Sequence, residues 1–199
     1  PRKNIKLFAG KPIIAYSILA AKYSGLFDRI IVSTDDKEIA SIAKEWGAEV
    51  PFMRPAELSG DYTGTMEVIQ HSINQLESTG NQMEYVCCIY ATAPFVTASA
   101  LCNAYTQLQT TQSDYVFTVT TFPFPVQRAL FINEANRLDC LYPEFRYTRS
   151  QDLTEAYHDA GQFYFGKKSA FKAGTPLFSP AASPLVVPRE IVQDIDTPE

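Results

Sequence analysis

Several widespread sequence signatures are missing from this chain of 199 residues. No apolar run approaches the roughly 20 residues that cross a membrane, so we expect no membrane-spanning helix. Neither the dinucleotide fingerprint G-x-G-x-x-G nor the hydrolase elbow G-x-S-x-G occurs, which disfavours hydride transfer and serine hydrolysis. With a net charge of −5, the chain also lacks the overall positive field that attracts nucleic acid or an anionic membrane.

Cysteines are few, and none of the four falls into a C-x-x-C pair. Cys87 and Cys88 are neighbours inside an apolar run, where successive side chains of a strand point to opposite faces. We therefore predict buried thiols in a reducing compartment, and the cytoplasm is the expected location. Metal or disulfide use of these two cysteines, with Cys102 and Cys140, is the alternative.

What is present is the composition of a globular protein, with 46% hydrophobic and 20% charged residues. Helical and strand-like patterns alternate along the chain. The predicted helices are 11–25, 35–47, 65–78 and 97–109, and the predicted strands are 29–34, 48–53, 85–91 and 115–120. Asp35 and Glu38 have capping-box spacing at the start of the second helix. The alternation predicts an α/β fold with a mostly parallel sheet and helices on both faces.

The alternation breaks between residues 122 and 171, where the sequence is aromatic, rich in turn residues and without a clear helix pattern. We interpret this stretch as a small antiparallel insertion in a single domain of residues 1–199. It could serve as a lid, a substrate wall or a dimer arm. Because ligands of parallel sheets bind beyond the carboxyl ends of the strands, the loops that follow the predicted strands are the place to look for a site.

The first residues are basic and polar: Arg2, Lys3, Lys6 and Lys11, with Asn4 between them. Such a run is either a solvated charged segment or a loop that leads into a helix. In the second case it would hold a polyphosphate through lysine charge and helix amides. Because the chain opens on these charges rather than on a strand, we expect a strand and more of the loop to precede them.

Two further loops follow predicted strands. In the loop of residues 54–65, Arg54 could bind the carbonyl-rich edge of a base, whereas Thr65 could simply cap the next helix. At residues 90–95, Pro94 forces an extended turn directly after a buried strand. Taken alone, that turn indicates only a connection between a strand and a helix.

A dense polar set lies among aromatic residues at 148–166, and it includes Arg149, Gln151, His158 and Gln162. His158 beside Asp159, with Ser150, suggests a hydrolase triad. Neighbours in one segment rarely form a triad, however, and the nucleophile elbow is absent. His71, in the middle of a predicted helix, is interpreted as a structural histidine.

Asp194 and Asp196 flank one isoleucine near the end of the sequence. In an extended segment both carboxylates lie on one face, roughly 6 to 7 Å apart at about 3.3 Å per residue, and this spacing suits Mg²⁺ together with phosphate oxygens. The alternative is that Thr197 and Pro198 merely begin a helix, with Thr197 as its cap. We expect that helix to continue beyond Glu199.

Taken in order, the segments PRKN, RPAELSGDYTGT, YATAPF, AGQFYFG and DIDTPE resemble motifs of the CMP-sugar synthetases, the cytidylyltransferases that activate nonulosonic acids such as sialic acid. PRKN is similar to the end of that family's opening motif, I-P-A-R-x-G-S-K-x-x-x-x-K-N. Residues 144–166 most resemble the pseudaminic acid branch. The resemblance implies a Rossmann-like three-layer nucleotide-diphospho-sugar transferase fold, Mg²⁺ as cofactor, CTP and a nonulosonic acid as ligands, and a homodimer.

The resemblance also implies roles for individual residues. Lys3 and Asp196 would be catalytic. The nucleotide-binding residues would be Lys3, Asn4, Arg54, Asp61, Thr63 and Thr65, with Lys3 and Asn4 at the triphosphate and ribose and Arg54 at the cytosine. The sugar-binding residues would be Tyr90, Arg149, Gln151, Gln162 and Tyr164. Of these, Arg149 and Gln151 would bind the sugar carboxylate or line the neighbouring subunit's site. The metal ligands would be Asp194 and Asp196.

One departure from the family bears on the substrate, because Tyr90 stands where sialic acid enzymes carry a glutamine. The resemblance therefore implies a cytidylyltransferase for pseudaminic acid, with a place in polysaccharide biosynthesis or flagellin glycosylation. The alternatives are a cytidylyltransferase for legionaminic acid, sialic acid or Kdo, and a nucleotide-sugar-binding module without turnover. No residue stands out as a general base.

Overall fold

A mixed sheet of four strands lies at the centre of the computed structural model, which describes residues 2–60 and 62–193. In chain order the strands are β1 (Leu7–Phe8), β2 (Lys11–Pro12), β3 (Tyr85–Ile89), β4 (Tyr115–Thr121), β5 (Leu130–Ile132), β6 (Leu138–Cys140), β7 (Tyr157–Lys167) and β8 (Ala182–Val186). The helices are α1 (Ile13–Ser24), α2 (Lys37–Glu45), α3 (Thr65–Ser78), α4 (Ala98–Thr111) and α5 (Lys168–Ala173).

The central sheet has the strand order β3-β7-β4-β8. β4 and β8 are parallel, and β7 lies between β3 and β4 and pairs antiparallel with both. Three strands therefore share one direction and β7 runs against them. The α/β class is confirmed, and β4 is buried along nearly its whole length.

Helices cover both faces of this sheet. On the first face, α1 and α4 pack against the strands, and the buried cluster there includes Leu101, Leu108, Val116, Phe163 and Phe165. This face contains three of the largest fully buried aliphatic side chains of the described residues. Burial of such side chains is the main favourable contribution to folding.

On the second face, α3 and α5 bury Ile73 and Phe171 against alternate residues of the same strands, among them Tyr164. Cys87 contacts the cluster on the first face and Cys88 contacts the cluster on the second, so the predicted alternation is confirmed. Both thiols are free. Burial raises the pKa of Cys88 to about 12 and that of Cys87 well above its usual value, so both remain protonated and serve packing.

The predicted strands at 29–34 and 48–53 are shorter in the structure than in the prediction. They meet in a single parallel bridge between Ile31 and Glu49 rather than as two full strands. The Val32 N–H donates to the Glu49 carbonyl oxygen at 2.9 Å. The β-branched pattern identified extended chain correctly, but the pairing stops after one bridge.

Local signals placed the first helices well, with one correction. α1 begins after Pro12 and ends at Gly25, whose φ of 66° is the left-handed conformation that glycine adopts readily. The N-cap of α2 is Asp36 and not Asp35. Asp36 has the extended backbone that an N-cap requires, and its carboxylate accepts from the N–H of Glu38 at 2.7 Å.

The stretch from 122 to 171 divides into two parts. Its first part contains an antiparallel hairpin made by β5 and β6. Its last part belongs to the central sheet, because β7 lies between β3 and β4. Helix α5 follows directly and begins at Lys168. The expectation of no helix up to residue 171 is therefore wrong, since α5 forms there to bury Phe171 against the sheet.

Every helix within the described residues is too short or too polar to cross a bilayer.

Candidate active site

The carboxyl end of β3 leads into Tyr90, whose backbone is held from two sides. The Tyr90 N–H donates to the Gln162 carbonyl oxygen at 2.9 Å. The hydroxyl of Ser17, a buried residue of α1, donates to the Tyr90 carbonyl oxygen at 2.6 Å. Position 90 is thus fixed between β7 and α1, at the edge of the sheet where the fold class places ligands.

Two tyrosines and one threonine from separate parts of the chain meet beside this strand end. The rings of Tyr90 and Tyr164 are in edge-to-face contact, with centroids 5.7 Å apart. The Tyr90 hydroxyl lies 3.3 Å from the Thr65 hydroxyl. The fold therefore brings together one residue predicted for the nucleotide and two predicted for the sugar, and we call Tyr90, Tyr164 and Thr65 the tyrosine group.

Thr65 is the first residue of α3 and not its N-cap, which is Gly64. The Glu67 carboxylate accepts from the Gly64 N–H at 3.2 Å and so satisfies an amide at the helix start. The cap prediction for Thr65 is wrong because Thr65 is itself the first helical residue, and Gly64 before it takes the cap position. Its hydroxyl lies toward Tyr90 instead. Thr63 is half-buried in the turn just before this helix start.

Asp159 belongs to the same group, although the sequence had suggested it only as part of a triad. The Tyr164 hydroxyl donates to one of its carboxylate oxygens, and the Gly161 N–H donates to the other at 3.0 Å. Burial above all, followed by the Asp159 carboxylate and Tyr90, raises the pKa of Tyr164 well above its usual value. The phenol therefore keeps its proton and acts as a donor to Asp159.

The hydrolase triad is not formed. His158 Nδ1 lies 2.9 Å from the backbone oxygen of Asp159, and its ring contacts that of Phe122 at 4.9 Å between centroids. The Ser150 hydroxyl accepts from Arg128 at 3.2 Å. No hydrogen bond among the described residues joins the three side chains, which agrees with the sequence argument against a triad.

Gln162 is buried, with 4% of its surface exposed. Its side-chain nitrogen donates to the Ile191 carbonyl oxygen at 2.8 Å, and its side-chain oxygen has no hydrogen-bond partner among the described residues. Direct contact of this side chain with a sugar stays a prediction. The bond to Ile191 fixes the chain three residues before Asp194.

Arg54 and the start of the chain form a separate polar group around the beginning of α2. The Arg54 guanidinium donates to the Ser59 hydroxyl at 3.2 Å and lies 3.6 Å from the Asp35 carboxylate. Arg2 pairs with the neighbouring Asp36 at 2.8 Å. Arg54 is therefore oriented by the protein itself, and its contact with a base stays a prediction.

Lys3 is exposed and Asn4 is half-buried, and both lie in the 3-10 turn of Lys3–Ile5. One interpretation of the basic start was a loop that leads into a helix. In the structure the β1–β2 hairpin lies between the turn of Lys3–Ile5 and α1. Positive φ values at Ala9 and Gly10 turn the chain at its tip. Phosphate binding by this turn stays a prediction.

Arg149 and Gln151 lie on the surface at a 3-10 turn, and Arg149 donates to the Asp152 carboxylate at 2.7 Å. No hydrogen bond or ion pair of the described residues connects either of them with the tyrosine group. Direct contacts of the described residues therefore join only part of the predicted sugar-binding set. Their place in a neighbouring subunit's site stays a prediction.

Some predicted residues lie outside the described residues: Asp61, Asp194, Asp196, Thr197 and Pro198. Within the parts that are described, no three histidine, cysteine or acidic side chains come together as a metal site.

Comparison with known proteins gives consistent results. A family model described as "Cytidylyltransferase" matches residues 1–173. The chain is 46% identical over 197 residues to the pseudaminic acid cytidylyltransferase of Campylobacter jejuni (strain 81-176). The aligned region covers 99% of this chain and 85% of that protein. The corresponding protein of a second strain is 45% identical over the same shares. The solved CMP-2-keto-3-deoxy-manno-octonic acid synthetase, in complex with CTP, superposes with a TM-score of 0.63 at 12% identity, over 93% of this chain and 83% of that one, which shows a shared fold.

Proposed function

Because the chain belongs to the cytidylyltransferase family, we propose that it transfers the cytidylyl group of CTP to pseudaminic acid, giving the CMP-sugar and pyrophosphate. The observation that carries this proposal is the 46% identity to a pseudaminic acid cytidylyltransferase, spread over 99% of the chain. Tyr90 supports the choice of sugar, because the family resemblance implies a glutamine at this position in sialic acid enzymes.

The proposed reaction is a displacement at phosphorus. The anomeric hydroxyl oxygen of the sugar bonds to the α-phosphorus of CTP, while the bond from that phosphorus to the oxygen bridging the β-phosphate breaks. Pyrophosphate leaves with the electron pair, and the hydroxyl proton passes to solvent or to a base. Lys3 would neutralise phosphate charge, and Asn4 and Arg54 would contact the ribose and cytosine. Positioning and electrostatics would supply most of the rate enhancement.

The tyrosine group would form the wall of the sugar site. The half-buried Tyr90 would offer its ring and hydroxyl group to the sugar, and Tyr164, which is 3% exposed, would contribute through its hydroxyl group. The contact between Tyr90 and Thr65 would place the sugar wall next to the nucleotide side, as a transfer between two bound substrates requires. Gln162 would act mainly by holding the segment of Ile191 in place.

Mg²⁺ is part of the proposal, with Asp194 and Asp196 as its ligands. Carboxylate oxygens are the ligands that Mg²⁺ prefers, and the bond from Gln162 to Ile191 holds the chain three residues before Asp194. When bound, the ion would supply charge neutralisation for the phosphates.

A coupled pyrophosphate assay with CTP tests the function. The purified protein is offered pseudaminic acid, legionaminic acid, sialic acid and Kdo in turn, with UTP in place of CTP as the matched control. We expect the highest kcat/KM with CTP and pseudaminic acid. A higher value with another sugar would overturn the choice of substrate. Measurable CTP binding without pyrophosphate release from any sugar would instead support a binding module.

The metal assignment is tested with Asp196→Ala in the same assay, beside Asp28→Ala as an exposed acidic control. We expect Asp196→Ala to lose Mg²⁺-dependent activity and Asp28→Ala to keep it. Full Mg²⁺-dependent activity in Asp196→Ala would exclude this residue as a ligand.

We also propose a homodimer formed through the β5–β6 hairpin. Its apolar side chains are unusually exposed, with exposed fractions of 58% for Leu130, 69% for Ile132 and 70% for Leu138. Contiguous exposed apolar surface commonly marks an interface. In analytical ultracentrifugation we expect a dimer that Ile132→Asp dissociates and that Tyr23→Asp, at another exposed apolar position, leaves intact. A wild-type monomer at micromolar concentration would contradict this arrangement.

A further inference from the structure

Strand β7 contains an irregularity that changes which side chains share a face. Phe117 of β4 pairs with Tyr164, but Val119, two residues later, pairs with Asp159. The single intervening residue of β4 thus faces the four residues 160–163 of β7. A bulge of this kind re-aims side chains, and bulges are common next to active sites.

The bulge brings Asp159 and Tyr164 together. In a regular strand, residues five apart lie on opposite faces and about 16 Å from each other. Here the three additional residues reverse the alternation, because Phe117 and Val119 share a face and their partners therefore share it too. Gly161 allows the turn with φ of 62°, and its N–H donates to Asp159.

From this geometry we propose that Asp159 is a positioning residue for the sugar site: its carboxylate holds the Tyr164 hydroxyl and thereby fixes the pair of rings formed by Tyr164 and Tyr90. The inference rests on the proposed function. It adds a residue that does not itself have to touch the substrate. Tyr164 in turn supports Tyr90, whose hydroxyl reaches Thr65 on the nucleotide side.

The charge of Asp159 matters as well as its shape. The carboxylate accepts two hydrogen bonds at once, from Tyr164 on one oxygen and from Gly161 on the other. An asparagine has nearly the same size but only one acceptor oxygen, so its amide group would face one of these two donors. Since the Tyr164 hydroxyl donates its proton to Asp159, its oxygen can act only as an acceptor, either from the neighbouring Tyr90 hydroxyl or from a donor such as a sugar hydroxyl or an acylamino N–H.

A structural role and a positioning role make different predictions for Asp159→Asn. If Asp159 only fills space, asparagine should preserve the kinetics. If it orients Tyr164, Asp159→Asn and Tyr164→Phe should each raise the KM for the sugar by about 10-fold or more, the usual effect of losing a hydrogen bond to a charged group. The KM for CTP should stay unchanged, because the network lies on the sugar side.

The experiment measures both KM values for the wild type, Asp159→Asn, Tyr164→Phe and the double variant. The matched control is the pair Glu155 and Tyr157, which form the same kind of hydrogen bond at 2.6 Å on an exposed surface. We expect the double variant to be no worse than the poorer single variant, because both changes break one bond. Glu155→Gln and Tyr157→Phe should match the wild type.

Three results would overturn the inference while leaving the proposed function intact: an unchanged sugar KM in Asp159→Asn, independent effects of the two changes in the double variant, or equal effects in the control pair. A wild-type protein that releases no pyrophosphate from CTP with any sugar would overturn the proposed function itself, and this inference with it. Thermal unfolding of each variant separates a loss of fold from a change in KM. Tyr164→Phe keeps the buried ring and so tests the hydroxyl alone.

Discussion

Gly166, the last residue of the AGQFYFG segment, is a position where we expect the addition of one methyl group to destabilise the fold strongly. It lies in β7 between Val86 of β3 and Tyr115 of β4. A Cβ atom added there would lie 2.4 Å from Tyr115 Cδ1 and 2.9 Å from the Asp114 carbonyl oxygen. Both distances are far shorter than van der Waals contact, so the surroundings would have to move.

The neighbouring ring has little freedom to do so. Tyr115 is fully buried, and its hydroxyl donates to the Thr175 carbonyl oxygen at 2.9 Å. On its other side it contacts Phe171, also fully buried, with ring centroids 4.9 Å apart. Moving the Tyr115 ring would therefore disturb both its hydrogen bond and the packing of α5.

The expected magnitude follows from two opposing effects. Overpacking a rigid core typically costs about 1–3 kcal/mol, and this clash lies at the upper end. The reduced freedom of alanine in the unfolded chain returns about 0.4–1 kcal/mol. We therefore expect Gly166→Ala to lower the free energy of unfolding by about 2 kcal/mol, and the Tm by about 4–8 °C for a chain of this size.

Thermal unfolding followed by circular dichroism measures this effect, with Gly60→Ala as the matched control. A Cβ at Gly60 would meet only the Thr63 hydroxyl at 3.9 Å, which is ordinary contact, so we expect the control to unfold near the wild-type temperature. In a Tyr115→Ala background the additional loss from Gly166→Ala should shrink, because the closest clash is gone. A Gly166→Ala protein that unfolds like the wild type would refute the reasoning.

Two further predictions concern stability in acid and thiol reactivity. Hydrogen bonds from Lys172 and then Lys168 lower the pKa of Glu77 and link α3 with α5. The link stabilises the fold fully at pH values above the unfolded-state pKa of about 4.3. It is lost as the pH falls through the lower pKa of the folded state. Thermal unfolding from pH 7 to pH 3 should show a shallower acid loss in Glu77→Gln, and identical profiles would contradict the link. Cys87 and Cys88 should resist a thiol reagent at pH 8 in the native protein and react after denaturation, because burial keeps both thiols protonated; rapid native labelling of either residue would contradict their burial.

The parts of the fold that the sequence predicted are those where one local signal decides the structure. β3 is a continuous apolar run, and the predicted alternation of Cys87 and Cys88 holds because it depends only on the period of a strand. Gly25 likewise marks a helix end through its own conformation. In contrast, residues 29–34 have the composition of a strand but form only one bridge, because pairing depends on a partner segment that the composition does not specify.

The tyrosine group shows both limits and possibilities of the prediction. The motif resemblance implied that Tyr90 and Tyr164 bind the sugar, and the fold places their rings in contact. For Gln162, contact with the sugar stays a prediction, and the structure adds a bond that the sequence did not indicate: its side-chain nitrogen donates to the Ile191 carbonyl oxygen, 29 residues later in the chain. Most polar groups inside a buried strand have a hydrogen-bond partner, but the strand's own sequence does not indicate which one.

Asp159 shows most clearly what a strand pattern leaves out. It lies five positions before Tyr164, so a strict period of two places the two side chains on opposite faces of β7. The register with β4 reverses this conclusion, because three residues are added between them without advancing along the neighbouring strand. The only local sign is Gly161, a glycine within an aromatic strand, which is the residue type that accepts the positive φ such a bulge needs. A glycine at such a position is therefore a reason to consider both possible face assignments for the residues on either side of it, and in this chain the second assignment reveals the proposed support of the sugar site.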